Sequence, residues 1–177
     1  MIAKFLATPT FGAATRYVLD RDPDLRHAGA HTIASNMDGR DADELTQEFA
    51  LVAAGNQRVR HTVAHIVLRT APEDRLLDDR EWGQIARQHL ERMGFTNTPY
   101  VMVKHPEPDQ HVHVVASRVR YDGSRVNDYR EHRRSRTIVR ALERQHHLVR
   151  TQEPMHARDR ARQQERGEGR VHERSWA

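Results

Sequence analysis

Residues 99–119 read PYVMVKHPEPDQHVHVVASRV: two apolar runs separated by the six-residue segment HPEPDQ, which contains two prolines. Each run has the Val-rich composition of a buried strand, and Pro106 and Pro108 stiffen the connection between them. A link this short joins antiparallel neighbours, because a parallel pair needs a crossover of about a dozen residues or more. The hairpin therefore predicts a sheet that is at least partly antiparallel, and the rest of the chain has to be fitted around it.

Working outward, IAKFLA (2–7) reads as a short edge strand ended by Pro9 and Gly12. FGAATRYVLDRD follows as a short helix with Phe11, Tyr17 and Val18 near one face, closed by Pro23. Residues 26–37 read weakly as a strand. In DGRDADELTQEFALVAAGN, Asp41 or Asp43 can cap a helix whose Leu45, Phe49 and Val52 recur at helical spacing. RHTVAHIVLRT alternates like a central strand. LLDDREWGQIARQHLERMG is an amphipathic helix with Trp82, Ile85, Leu90 and Met93 inward and Gly94 at its C-terminus. Beyond the hairpin, Asp122-Gly123 signals a tight turn opening onto a last short strand. Residues 132–148 then form an Arg-rich helix with Ile138, Val139, Leu142 and Leu148 on its apolar side. The predicted fold is α+β: a mainly antiparallel sheet of about five strands covered by helices.

Bulk properties fit one domain over residues 1–150, followed by a polar, charged tail at 151–177 that reads as a solvated helix or as disorder. No apolar run approaches the roughly 18–20 residues of a membrane span, and the N-terminal residues do not read as a secretory signal. The chain has no cysteine, which excludes disulfides and thiolate metal sites. A cytoplasmic location is the default expectation. The net charge is only +4, yet 118–144 holds nine Arg against four acids, so the positive excess is concentrated there. Only Lys4 and Lys104 are lysines. Arginine forks match phosphate and stack on bases, so the cluster points toward nucleic acid. An Arg-favouring codon usage explains the overall bias equally well, but not the clustering.

The hairpin also carries the chemistry. In a strand, alternate residues share a face, so His111 and His113 point the same way while Val112 and Val114 point the other. The loop returns His105, at the end of the preceding strand, against them. Three converging imidazoles that leave positions open are how a protein builds a catalytic rather than a structural metal site. Imidazole donors alone suit Mn, Co, Ni, Cu or Zn better than Mg or Ca. Glu107 and Asp109, in the loop, can orient a ligand imidazole. The chain has 13 histidines, so chance pairs are expected and an HxH alone is weak; a third His on a short hairpin makes it stronger. There is no HExxH, Gly-rich phosphate loop or GxSxG.

In order along the chain, ATRYVLD, SNMDG, AHIVLRTAPEDRLLDDREW, MGF, PYVMVKHPEPDQHVHVVASRV and RRSRTIVRALERQHHL resemble the relaxase/mobilisation nuclease family over about residues 10–148. These enzymes are DNA-strand transferases that start conjugative plasmid transfer. The resemblance implies a palm-like antiparallel sheet with helices, a divalent metal held by His105, His111 and His113, and Tyr17 as nucleophile. The implied metal is Mg or Mn, with Zn, Ni, Co or Cu also compatible with the donors. Glu107 matches an acidic position after the first histidine, and Arg118 an arginine after the histidine strand. The implied partners are single-stranded or hairpin DNA at a plasmid or integrative-element transfer origin, mobilisation accessory proteins and a coupling protein, with no membrane.

On pattern alone Tyr17 is a helix packing residue, and only the resemblance makes it a nucleophile. His65 is inward or at a strand edge, either structural or supporting the metal ligands. Arg133, Arg134 and Arg136 are solvated charges unless DNA is present. Competing readings are a non-catalytic DNA-binding accessory or decayed relaxase, a rolling-circle replication initiator, and an unrelated metal-dependent hydrolase. The initiators usually place the tyrosine after the histidines, whereas Tyr17 precedes them; a hydrolase would leave no protein–DNA adduct.

Overall fold

A computed structural model describes residues 1–19, 29–105 and 110–151. The tail from 152 onward, and with it most of the segment expected to be solvated or disordered, lies outside the described residues, as do Glu107 and Asp109. Five strands, β1 (Ile2–Leu6), β2 (His31–Ser35), β3 (Val63–Arg69), β4 (Tyr100–His105) and β5 (His111–Ser117), form one sheet in the order β1-β3-β5-β4-β2. Every neighbouring pair is antiparallel. Four helices accompany it: α1 (Phe11–Leu19), α2 (Ala42–Ala53), α3 (Asp79–Met93) and α4 (Glu131–Gln145). The expected α+β sheet is therefore what forms, with the β4–β5 hairpin at its centre.

Alternation along the strands sorts two cores. Ile66, Leu68, Met102, Val112, Val114 and Ala116 pack with Trp82, Ile85 and Leu90 of α3 and Val139 and Leu142 of α4. On the opposite face, Val101, Val103 and Val115 pack with Phe11, Ala14 and Val18 of α1 and Leu45 and Phe49 of α2. The central strands read as nearly continuous apolar runs because both their faces are covered.

Local signals set the helix ends. Asp41 caps α2 by accepting from the Asp43 and Glu44 N–H groups at 2.9 Å. Asp78 and Glu81 form a reciprocal capping box on α3, and Gly94 ends it in the left-handed region at φ 89°. Two expectations need correction. Asp122-Gly123 does make a turn, but it leads to a single bridge between Val119 and Arg125 rather than a sixth strand. Tyr17 does not pack in the core beside Phe11 and Val18: it is 48% exposed, because the helix turns that side away from α2.

Candidate active site

β5 is the middle strand, so the side chains on its α1/α2 face have sheet on both sides. In the hairpin register His105 lies directly opposite His111, and His113 lies opposite Val103 on β4 and Val67 on β3. Directly opposed residues in an antiparallel sheet share a face. His105, His111, His113 and His65 therefore all project from one face, together with Val67 and Arg69.

Among the described residues, His105, His111 and His113 form a group whose candidate ligand nitrogens all lie within 4.8 Å of one another. The ring centroids are 4.5 Å apart for His105–His113, 5.1 Å for His105–His111 and 5.0 Å for His111–His113. His105 and His113 are buried; His111 is half-buried, which leaves the group open on one side.

The hydrogen bonds fix which nitrogens are available. His105 Nε2 lies 3.0 Å from the Val18 carbonyl oxygen. A carbonyl only accepts, so Nε2 carries the proton and a neutral ring keeps its lone pair at Nδ1. His113 Nδ1 lies 2.9 Å from His65 Nε2, and His65 Nδ1 lies 2.9 Å from Thr8 Oγ1. Burial, with a smaller contribution from neighbouring His105, lowers the His65 pKa to about 4. His65 is thus a neutral ring between two partners. If His113 offers Nε2 to a cation, its Nδ1–H donates to His65, which donates in turn to Thr8. Backbone or side-chain acceptors on the far nitrogens of ligand histidines are the usual way of fixing tautomer and ring orientation. Three imidazoles, with the outer nitrogens of His105 and His113 occupied, fit a divalent cation of the Mn-to-Zn series.

Helix α1 brings in the tyrosine. It is locked to α2 by Thr15, buried, whose hydroxyl is 2.9 Å from Thr46 Oγ1 and 3.1 Å from the Ala42 carbonyl oxygen. The Phe11 and Phe49 rings stack with centroids 4.5 Å apart and planes within 2°. The same helix end gives its Val18 carbonyl to His105 and sets the Tyr17 ring edge-on to the histidines, 5.5 Å from the His113 centroid and 5.8 Å from that of His65. Val18 and His105, 87 positions apart in the sequence, and Tyr17 and His113, 96 apart, thereby meet at one spot.

The arginines named from sequence are placed elsewhere. Arg133 and Arg136 are exposed on α4, across the sheet from the histidines. Arg134 donates to the carbonyls of Asn127, at 2.8 Å, and Met93, tying the start of α4 to the end of α3. Arg118 is buried, 2.8 Å from Glu131 and with its guanidinium 5.9 Å from the Phe95 ring centre. On the histidine face itself, α1 and α2 cover β4 and β5, and the β1–β3 half stays partly open. Lys4 and Arg69 are exposed there, flanking half-buried Leu6 and Val67. Sequence reasoning did not point to Thr8, which bonds His65, or to Lys4 and Arg69 on the histidine face. The edge strand's residues show no link to β3 until the β1–β3 register is known, and no local pattern announces that pairing.

Comparisons with curated proteins and with solved structures returned no match. A family model does match: "Relaxase: MobA/VirD2-like, nuclease domain", over residues 17–148. That span begins at the tyrosine, holds the three histidines and ends just past α4. No helix among the described residues is long and apolar enough to cross a membrane. With a matched span covering most of its length, and with a five-stranded antiparallel sheet presenting a histidine triad beside a tyrosine, the chain belongs to the relaxase nuclease-domain family.

Proposed function

We propose that the protein nicks single-stranded or hairpin DNA at the transfer origin of a plasmid or integrative element, using Tyr17 as nucleophile and His105, His111 and His113 as ligands of a divalent cation. The observation that carries the reading is the placement of the Tyr17 ring within 5.5 Å of His113 by a helix whose next carbonyl holds His105. A core packing tyrosine would be buried, and Tyr17 is half exposed beside His113.

In the proposed reaction the Tyr17 hydroxyl oxygen forms a bond to phosphorus as the bond from phosphorus to the 3′ oxygen breaks. The hydroxyl proton passes to solvent at the exposed ring, and the departing 3′ oxygen takes up a proton. The product is a 5′-phosphotyrosyl protein and a free 3′-hydroxyl strand. The ester retains the bond energy, so a 3′-hydroxyl can attack it and rejoin the DNA. A phenol, with an ordinary pKa near 10, is a weak nucleophile at neutral pH. A cation held by the three imidazoles, Mg or Mn in the first instance and Zn, Ni, Co or Cu as alternatives, supplies Lewis-acid stabilisation of phosphoryl charge. His65 and Thr8 hold the His113 ring in its ligand tautomer; Glu107 and Asp109 are assigned the same kind of supporting role from the loop.

Lys4 and Arg69, on the open half of the histidine face, are the cations nearest in register to the triad and are assigned to the phosphates beside the cut. Arg133 and Arg136 lie across the sheet and can reach only DNA that wraps the molecule. Arg118 and Arg134 act on DNA through the elements they hold in place. Accessory mobilisation proteins and a coupling protein complete the proposed setting, in the cytoplasm.

The test is adduct formation on transfer-origin single-stranded oligonucleotides with Mn or Mg. Wild type should give a covalent, denaturant-resistant DNA adduct and Tyr17→Phe none. An adduct that survives Tyr17→Phe would remove Tyr17 from the role. The decayed or accessory reading predicts DNA binding without any adduct.

A further inference from the structure

The sheet ends unevenly beside the site. β1 runs out at Leu6, paired with His65, and the chain continues through Ala7 to Thr8, whose hydroxyl meets His65 Nδ1. Past that end lies a cavity of about 320 Å³, lined by Leu6, Ala7, Thr8, His61, Val63 and His65 on the side of the site. Phe5 and His132, in edge contact at 5.1 Å and 77°, with Asp128 and the Arg118–Glu131 ion pair, form its other side.

His65 is the shared wall. One nitrogen meets His113 and its ring lies 5.8 Å from that of Tyr17; the other nitrogen, through Thr8, faces the cavity's lining. A phosphate within reach of Tyr17 is therefore one side chain away from the cavity. That is the separation between a phosphate and the base of an adjoining nucleotide.

The lining suits a base better than a phosphate. Leu6, Val63 and Phe5 give apolar contact for a ring face, whereas the one arginine of the lining, Arg118, is already paired with Glu131, and Asp128 is paired with Arg125, so no unpaired guanidinium of the lining meets a phosphate. Thr8, His61 and Asp128 place donors and acceptors around the same space, which is what edge recognition of a base requires. The volume lies within the range of small-ligand sites and admits either a purine or a pyrimidine. A base in a stacked duplex cannot enter, so the occupant must come from an unpaired strand.

We propose that this cavity takes one unstacked nucleobase, from a nucleotide adjoining the cleaved phosphate, and so sets the sequence preference at the cut. The proposal rests on the nicking reading above. Ala7 is exposed and lines the cavity, so Ala7→Trp fills it from the surface without entering either core. His61→Ala removes one polar partner from an exposed residue and serves as the second variant.

The experiment incubates each protein with Mn and a pool of single-stranded oligonucleotides of randomised sequence. Covalent adducts are isolated under denaturing conditions, and the DNA on both sides of the cut is sequenced. Wild type should show a preference of about tenfold or more among bases at one position within two nucleotides of the cut. Both variants should flatten that position to under about threefold while preferences elsewhere persist. A matched oligonucleotide abasic at that position should react more slowly than its intact parent with wild type, and the two should react alike with Ala7→Trp. Adducts whose preferences are the same in all three proteins overturn the subsite while leaving the nicking reading intact. No adduct from wild type on the pool or on transfer-origin oligonucleotides overturns the nicking reading, and the subsite with it.

Discussion

At the scale of single residues, the candidate site is defined as much by its hydrogen bonds as by its ligands. His105 is fixed by a backbone carbonyl, which no side-chain substitution can remove, whereas His113 is fixed by His65, which can be replaced. His113→Ala should lower metal stoichiometry and nicking together. His65→Ala should leave three ligands in place yet weaken metal binding about 10–100-fold, the usual effect of losing a partner behind a ligand histidine. Titration calorimetry with Mn checks it, and an unchanged affinity would show that the Thr8–His65–His113 chain is packing alone. The convergence of the three histidines was legible from strand alternation in HVHVV and a short hairpin, because both signals are local. Thr8, Lys4 and Arg69 were not, because their relation to the site passes through the β1–β3 pairing across more than fifty residues. The α4 arginines show the converse: their charge clustering was visible in sequence, while the sheet that stands between them and the histidines was not.

At the scale of elements, the proposed reaction requires α1 to be placed accurately because it carries two groups of the candidate site one residue apart, the Tyr17 ring and the Val18 carbonyl. Its register on α2 is held by Thr15 and by the Phe11–Phe49 stack. Thr15→Val keeps the shape and removes the hydroxyl that ties α1 to Thr46, whose own hydroxyl still donates to the Ala42 carbonyl at 2.6 Å, so the cost should be about 1 kcal/mol. Phe49→Ala empties a fully buried ring site and should cost about 3–5 kcal/mol. The informative comparison is activity under conditions where both variants remain folded. Adduct formation should fall more for Thr15→Val than its stability loss suggests, since a shift of about 1 Å in a reacting group can cost about a hundredfold in rate. Equal activity of the folded Thr15→Val variant would show that α1 is held by the rest of its interface. Helix periodicity identified α2, α3 and α4 correctly, and even the Asp41 cap, but it put Tyr17 with the packing residues. A nine-residue helix has too few turns for period alone to separate the packed face from the open one.

At the scale of the whole molecule, the two cores differ in what their polar groups do. The histidines of the α1/α2 face have a proposed use as metal ligands, whereas His89, on α3, is fully buried on the other side, with Nε2 2.8 Å from Ser135 Oγ of α4. Burial lowers its pKa from 6.5 to about 4. The unfolded chain therefore binds a proton at this residue at higher pH than the folded protein does. Wherever the unfolded state holds more protons, stability rises with pH. His89 thus costs nothing well above 6.5, and its penalty grows as pH falls through 6.5 toward 4, where the folded protein begins to protonate as well. Between pH 7 and pH 5 the loss from this residue should be about 2 kcal/mol. His89→Gln cannot titrate but retains an amide to bond Ser135, so it isolates the effect from the other histidines. Urea unfolding at the two pH values should show wild type losing about 2 kcal/mol more than His89→Gln. A common pH dependence for the two proteins would mean that the charged ring finds solvation between α3 and α4, and that these helices separate more readily than their packing implies.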